Sequence, residues 1–136
     1  FTPDLRPLSL LPGPLKWIVQ RAILSENKWE APMSVLFEFA MFPTDKGESV
    51  SSYVARIVTI IDRASLSYKL TPMGTIVEVE RLDEALEIIR MAYAELEPDC
   101  SRVYSVVKFD IRKGGTDRLK GKIESVEQKA GIALKT

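Results

Sequence analysis

The 136-residue chain contains no histidine and a single cysteine. The first absence removes Ser-His and Cys-His nucleophilic machinery, the usual general base at neutral pH and the commonest zinc ligand. Catalysis would have to run on carboxylates, lysine or a bound cofactor, so the expectation is a protein with no catalytic residues and no metal site. Cys100 has no partner for an intrachain disulfide, which fits a reducing, cytoplasmic setting. With no histidine to activate it, it reads as a small residue near a strand start. Neither sign of charge is in excess: 19 Lys plus Arg face 19 Asp plus Glu, and nothing draws the chain toward nucleic acid. No apolar run is long enough for a membrane span. A phosphate-cradling glycine loop and the GxGxxG fingerprint are also missing, so nucleotide binding has no motif behind it.

What is present divides unevenly. Residues 1–32 hold five of the eight prolines (Pro3, Pro7, Pro12, Pro14, Pro32) and both tryptophans, Trp17 and Trp29. Between them Leu15, Ile18, Val19, Ala22 and Ile23 recur at helical spacing, which predicts a short amphipathic helix at most. Pro12 and Pro14 interrupt the apolar stretch, and Lys16 and Arg21 follow it, a poor match to a secretory signal. The segment reads as an accessory extension, with the functional domain over residues 33–136 and Met33 as a natural start for it.

From Met33 the elements are distinct. Ser34–Phe42 has the residue types of a strand, and Val50, Val54, Ile57, Val58 and Ile61 form a helical stripe with Ser49 as its N-cap. Tyr68–Pro72 and Thr75–Glu80 read as two short strands about a turn at Met73-Gly74. Leu82, Ala85, Leu86, Ile89, Ala92, Tyr93 and Leu96 mark a second helix that Pro98 closes. Arg102–Ile111 is a last strand, broken by Gly114-Gly115, and Leu119, Ile123 and Val126 outline a C-terminal helix weakened by Gly121. The order β-α-β-β-α-β-α, with right-handed crossovers, predicts an α+β, ferredoxin-like βαββαβ sandwich carrying one extra helix.

Strand alternation sorts the side chains. Val35, Phe37, Phe39, Met41, Val77, Val79, Val103, Val107 and Phe109 belong beneath the helices. The opposite face carries Leu36, Glu38, Ala40, Phe42, Ile76, Glu78, Tyr104, Val106, Lys108 and Asp110. That face is too apolar for a monomer, and self-association is favoured over cover by the N-terminal helix. Glu38 and Glu78 then need partners in a partly dry place, with Lys108 as the structural choice and a cationic or amidine-like ligand as the functional one. The loop Pro43–Ser49 leads from strand into helix, where backbone N–H groups and the Thr44 and Ser49 hydroxyls suit a polar ligand edge, or plain capping.

Three stretches, Glu38-Phe-Ala-Met-Phe-Pro-Thr-Asp-Lys-Gly-Glu-Ser-Val-Ser, Tyr68-Lys-Leu-Thr-Pro-Met-Gly-Thr-Ile-Val-Glu and Ile123-Glu-Ser-Val-Glu, resemble a family of small thiamine-binding proteins. The family is related to YkoF-type proteins that bind thiamine or its hydroxymethylpyrimidine half. The resemblance runs from Met33 to about Glu127 and implies a non-catalytic, ferredoxin-like binding protein that pairs edge to edge and stacks as dimers or tetramers. It implies thiamine as a ligand, with no further cofactor. Thiamine's aminopyrimidine pairs with carboxylate and hydroxyl acceptors, and its thiazolium favours acidic and aromatic surroundings. The candidate ligand-binding set is therefore Glu38, Phe42, Thr44, Ser49, Met73, Thr75, Glu78 and Tyr104.

Two other uses of the topology lack their residues. An RNA-binding module needs aromatics on its central strands, where Ile76 and Glu78 stand. An acylphosphatase-type enzyme needs an arginine in the loop after the first strand, and Pro43–Ser49 contains none. The alternative that survives is a regulatory domain binding another metabolite, such as an amino acid, at a subunit interface.

Overall fold

The computed structural model describes residues 33–136, together with Lys16. The extension and the amphipathic helix expected within residues 1–32 otherwise lie outside the described residues. Strand β1 (Met33–Pro43) is followed by α1 (Ser51–Arg63), the hairpin β2 (Ser67–Thr71) and β3 (Gly74–Val79), then α2 (Leu82–Leu96), β4 (Val103–Lys113) and α3 (Arg118–Ala130). The strands form one sheet in the order β2-β3-β1-β4, antiparallel throughout. This is the α+β, ferredoxin-like arrangement expected from the element order.

The β1 register explains the core. Phe37 stands opposite Val77 on β3 and Phe109 on β4, and Val35 opposite Val79 and Ile111. Alternate β1 residues Val35, Phe37, Phe39 and Met41 point under the helices and are almost completely buried. They meet Ile57 and Ile61 of α1 and Ala85, Ile88, Met91, Ala92 and Leu96 of α2 in one apolar cluster. Each Val, Ile, Leu, Phe or Met side chain among them contributes about 1.5–3 kcal/mol by leaving water.

The boundaries differ from expectation where local chemistry decides them. The hairpin closes at Thr71 and Gly74, with Pro72 and Met73 as the turn. Thr71 Oγ1 accepts from the N–H groups of Met73 (3.3 Å) and Gly74 (3.1 Å), which ends β2 before Pro72. Ser49 is not the N-cap of α1. Val50 takes that place, and its carbonyl accepts from Tyr53 and Val54, while Ser49 Oγ meets only Ser51 Oγ at 3.3 Å. On α2 the buried stripe runs through Ile88 and Met91, and Leu82, Leu86 and Tyr93, expected inside, are exposed. Phe109 was also expected inside but is 40% exposed, because β4 is an edge strand that the helices cover incompletely.

The element order alone does not place α3. It does not join α1 and α2 but lies against the opposite face of the sheet, where it meets β1, β2 and β3. One end of the mixed face is therefore covered by the chain's own C-terminal helix.

Candidate functional site

The open face is built from cross-strand pairs. Glu38 stands opposite Lys108, Ala40 opposite Val106, and Phe42 opposite Tyr104, three successive pairs on one side of β1 and β4. Lys108 Nζ lies 2.8 Å from Glu38 Oε1, the ion pair expected for one of the two glutamates. The lysine is largely exposed, so the pair adds little to stability and its carboxylate remains exchangeable. The Phe42 and Tyr104 rings sit 5.7 Å apart and tilted, with Tyr104 54% exposed. A carboxylate and an aromatic pair are thus held in line, about 13 Å apart along the strand, over a floor of Ala40 and Val106.

The β2–β3 turn forms one rim. A Cβ added to Gly74 would lie 3.1 Å from the Phe39 carbonyl and 3.3 Å from Glu38 Cγ, so glycine permits the turn to approach the Glu38 side chain. Met73 at the turn is 83% exposed beside this approach. The other rim is the Thr44–Val50 segment. Thr44 donates its N–H to the Arg102 carbonyl (2.9 Å), and Asp45 accepts from Ser101 Oγ (2.6 Å) and Ser101 N (2.9 Å). Those bonds, the side-chain one foremost, hold the Asp45 carboxyl at a pKa of about 2. The loop is tied to the start of β4, next to Tyr104. Thr44 and Ser49 are both exposed on it.

Two members of the candidate set are placed apart from this group. Thr75 stands opposite Phe39, faces the helix side and is buried, so it shares no face with Glu38. The alternation of β3 puts it there, one residue from Gly74. Glu78 shares the open face, but its carboxylate already accepts three hydrogen bonds, from Ser34 Oγ (2.5 Å) and from the N–H groups of Arg118 (2.9 Å) and Leu119 (3.1 Å). Burial pushes its pKa up, while these bonds and the Arg118 charge more than offset that and hold it below the ordinary carboxylate range. Glu78 caps the N-terminus of α3. The residues that sequence reasoning missed are its partners, Ser34 and Arg118. The guanidinium of Arg118 is nearly buried, donates to the carbonyls of Ser34 (3.4 Å) and Asp110 (3.0 Å) and pairs with the Asp110 carboxylate. An Asp-Arg spacing of eight across a double glycine was the available signal. Among the described residues no cluster of Asp, Glu or Cys could hold a metal ion, and no helix is long and apolar enough to cross a membrane.

Residues 37–127, which contain the open face apart from Ser34 and Leu36, match the model of a family described as thiamine-binding protein. The chain belongs to that family. A relative in Methanothermobacter thermautotrophicus, named only as a UPF0045 protein, is 39% identical over 82 residues, which are 60% of this chain and 83% of the relative. The crystal structure of a hypothetical protein from Methanocaldococcus jannaschii superposes with a TM-score of 0.63 at 30% identity, covering 70% of this chain and 97% of that one. A candidate thiamine biosynthesis/salvage protein from Thermotoga maritima shares the fold at 21% identity, with a TM-score of 0.56 over 68% of this chain and 98% of that one. These solved structures share this sheet and helix arrangement, and the family membership makes a small-molecule binding role the coarse assignment for the chain.

Proposed function

We propose that the open face binds thiamine or its hydroxymethylpyrimidine half without changing it chemically. The observation that carries this is the alignment of Glu38 with the Phe42–Tyr104 pair on one face of β1 and β4, in a chain of the thiamine-binding family. Glu38 accepts from the exocyclic amine of the pyrimidine, replacing Lys108 as its partner. The ring pair offers its π faces to the cationic thiazolium, and Thr44 and Met73 line the two rims. The role we read for this row is binding rather than turnover.

The same face supports self-association. Tyr104 and Val106 are exposed beside one another, and among the described residues β4 is an edge strand of eleven residues that can pair with a second copy. Edge pairing followed by face-to-face stacking gives a dimer or tetramer that shields both residues.

Calorimetric titration with thiamine, hydroxymethylpyrimidine and a set of amino acids tests the reading. A charge-assisted hydrogen bond contributes about 1.5–3 kcal/mol, so Glu38→Gln is expected to weaken thiamine binding by roughly ten-fold or more. Tyr104→Ala is expected to weaken thiamine more than the pyrimidine alone. Heat with an amino acid and none with either thiamine species would transfer the face to the regulatory alternative, in which the Glu38–Lys108 pair receives a zwitterion.

A further inference from the structure

Resting on that reading, we propose that α3 is a lid over the ligand face, latched to the sheet by polar groups and hinged at Gly114. Three independent features support it. The first is the way the helix is held. Of its thirteen residues only Arg118 is buried, and Leu119 and Ile123 are its half-buried large apolar side chains, whereas α2 buries five apolar residues in the core. Its attachment is the Glu78 carboxylate on the first N–H groups, Arg118 on Asp110, and Lys122 Nζ on Asp110 Oδ2 at 2.6 Å. Such bonds exchange for water bonds at small net cost, unlike the apolar packing of α1 and α2. An element with few buried apolar contacts opens locally at a fraction of the global unfolding free energy.

The second feature is the connection. Gly114 has φ +74° and a Cβ there would meet nothing within 4 Å, so no packing clamps it, whereas Gly115 packs against the Arg112 and Arg118 side chains, and Asp117 at φ 54° lets the chain turn into the helix. The third is incomplete closure. A groove of about 380 Å³ remains between α3 and β2, with Tyr68, Lys69, Leu119, Ile123 and Glu127 among its lining residues. Of that lining, Lys69 stands in the same cross-strand row as Ile76 and Glu38. Swinging α3 away uncovers Leu36, Ile76 and Glu78; closing it over a ligand seated at Glu38 excludes water from that end.

Hydrogen exchange of the full chain, read by mass spectrometry with and without thiamine, tests the lid. Without ligand, the amides of residues 119–130 are expected to exchange at least a hundred-fold faster than those of β1 and the centre of α2. Glu78→Gln and, separately, Asp110→Asn should each speed α3 exchange about ten-fold while leaving β1 and α2 unchanged. Exchange of α3 in step with β1, or a variant that speeds all three elements equally, overturns the lid, because α3 would then be part of the cooperative core. Thiamine should slow α3 exchange. Calorimetric binding of thiamine with α3 exchange unaltered also overturns it. A chain that binds no thiamine overturns the binding assignment instead, and the ligand-free rates decide the lid by themselves.

Discussion

Glu84 offers a quantitative test of the fold's electrostatics. It lies in the first turn of α2, is 7% exposed, and has its pKa raised from 4.5 to about 7, by burial first and then by the charges of Glu80 and Asp83. An acid whose folded pKa is raised contributes stability that is fully present below 4.5 and is lost as pH rises through about 7. At about 1.4 kcal/mol per pH unit, the interval between those values caps the cost of the ionised form at about 3 kcal/mol. Glu84→Gln removes the charge and nearly preserves the shape. At pH 8 the variant should be more stable than the parent by about 1–3 kcal/mol, and at pH 5 by less than about 1 kcal/mol. For a domain of this size that is a rise in Tm of about 5–15 °C at pH 8, measured by calorimetry or circular dichroism across pH 5 to 8. The window avoids the carboxylates with lowered pKa, Asp45, Glu78, Asp99 and Asp110, whose contributions vanish only in acid. A variant whose Tm differs from the parent's by the same amount at every pH would refute the reasoning, as would a variant less stable at pH 8. Either result would mean that the charged carboxylate is as well solvated folded as unfolded. Because this titration falls near neutrality, ligand affinities at the open face should be compared between variants at one pH.

Gly74→Ala should lower stability by about 1–2 kcal/mol, since its Cβ would crowd the Phe39 carbonyl and Glu38 Cγ. It should also weaken ligand binding by displacing Glu38, and parent-like melting and titration together would remove the turn from the site. Val106→Lys should turn the associated protein into a smaller species on light scattering while its melt stays cooperative, because a copy stacked on Val106 would bury an unpaired ammonium. A parent that scatters as a monomer denies self-association any role in covering this face.

The sequence by itself determined the element order and the core face of β1. Strict alternation over Val35–Met41 leaves one way to bury the phenylalanines, and Gly and Pro punctuation at Pro72, Gly74 and Pro98 separates the elements that follow. It also determined the opposite face, and with it that Glu38, Phe42, Tyr104 and Lys108 share one surface, because period two needs no tertiary information. The helices were less legible. Leu82, Leu86 and Tyr93 form as regular a stripe as Ile88 and Met91, and only docking on the sheet decided which one was buried. Thr75 was legible in the alternation itself, since period two puts it with Val77 and Val79 on the helix side of β3. The role of Glu78 was decided by tertiary structure as well. Glu78 acquires its partners from a helix forty residues later, through bonds to backbone N–H groups that no side-chain pattern reveals. A helix with eight polar residues among its thirteen carries too thin an apolar stripe to announce which face of the sheet it covers. Its position was set instead by one carboxylate and one arginine, whose meeting only the folded chain brings about.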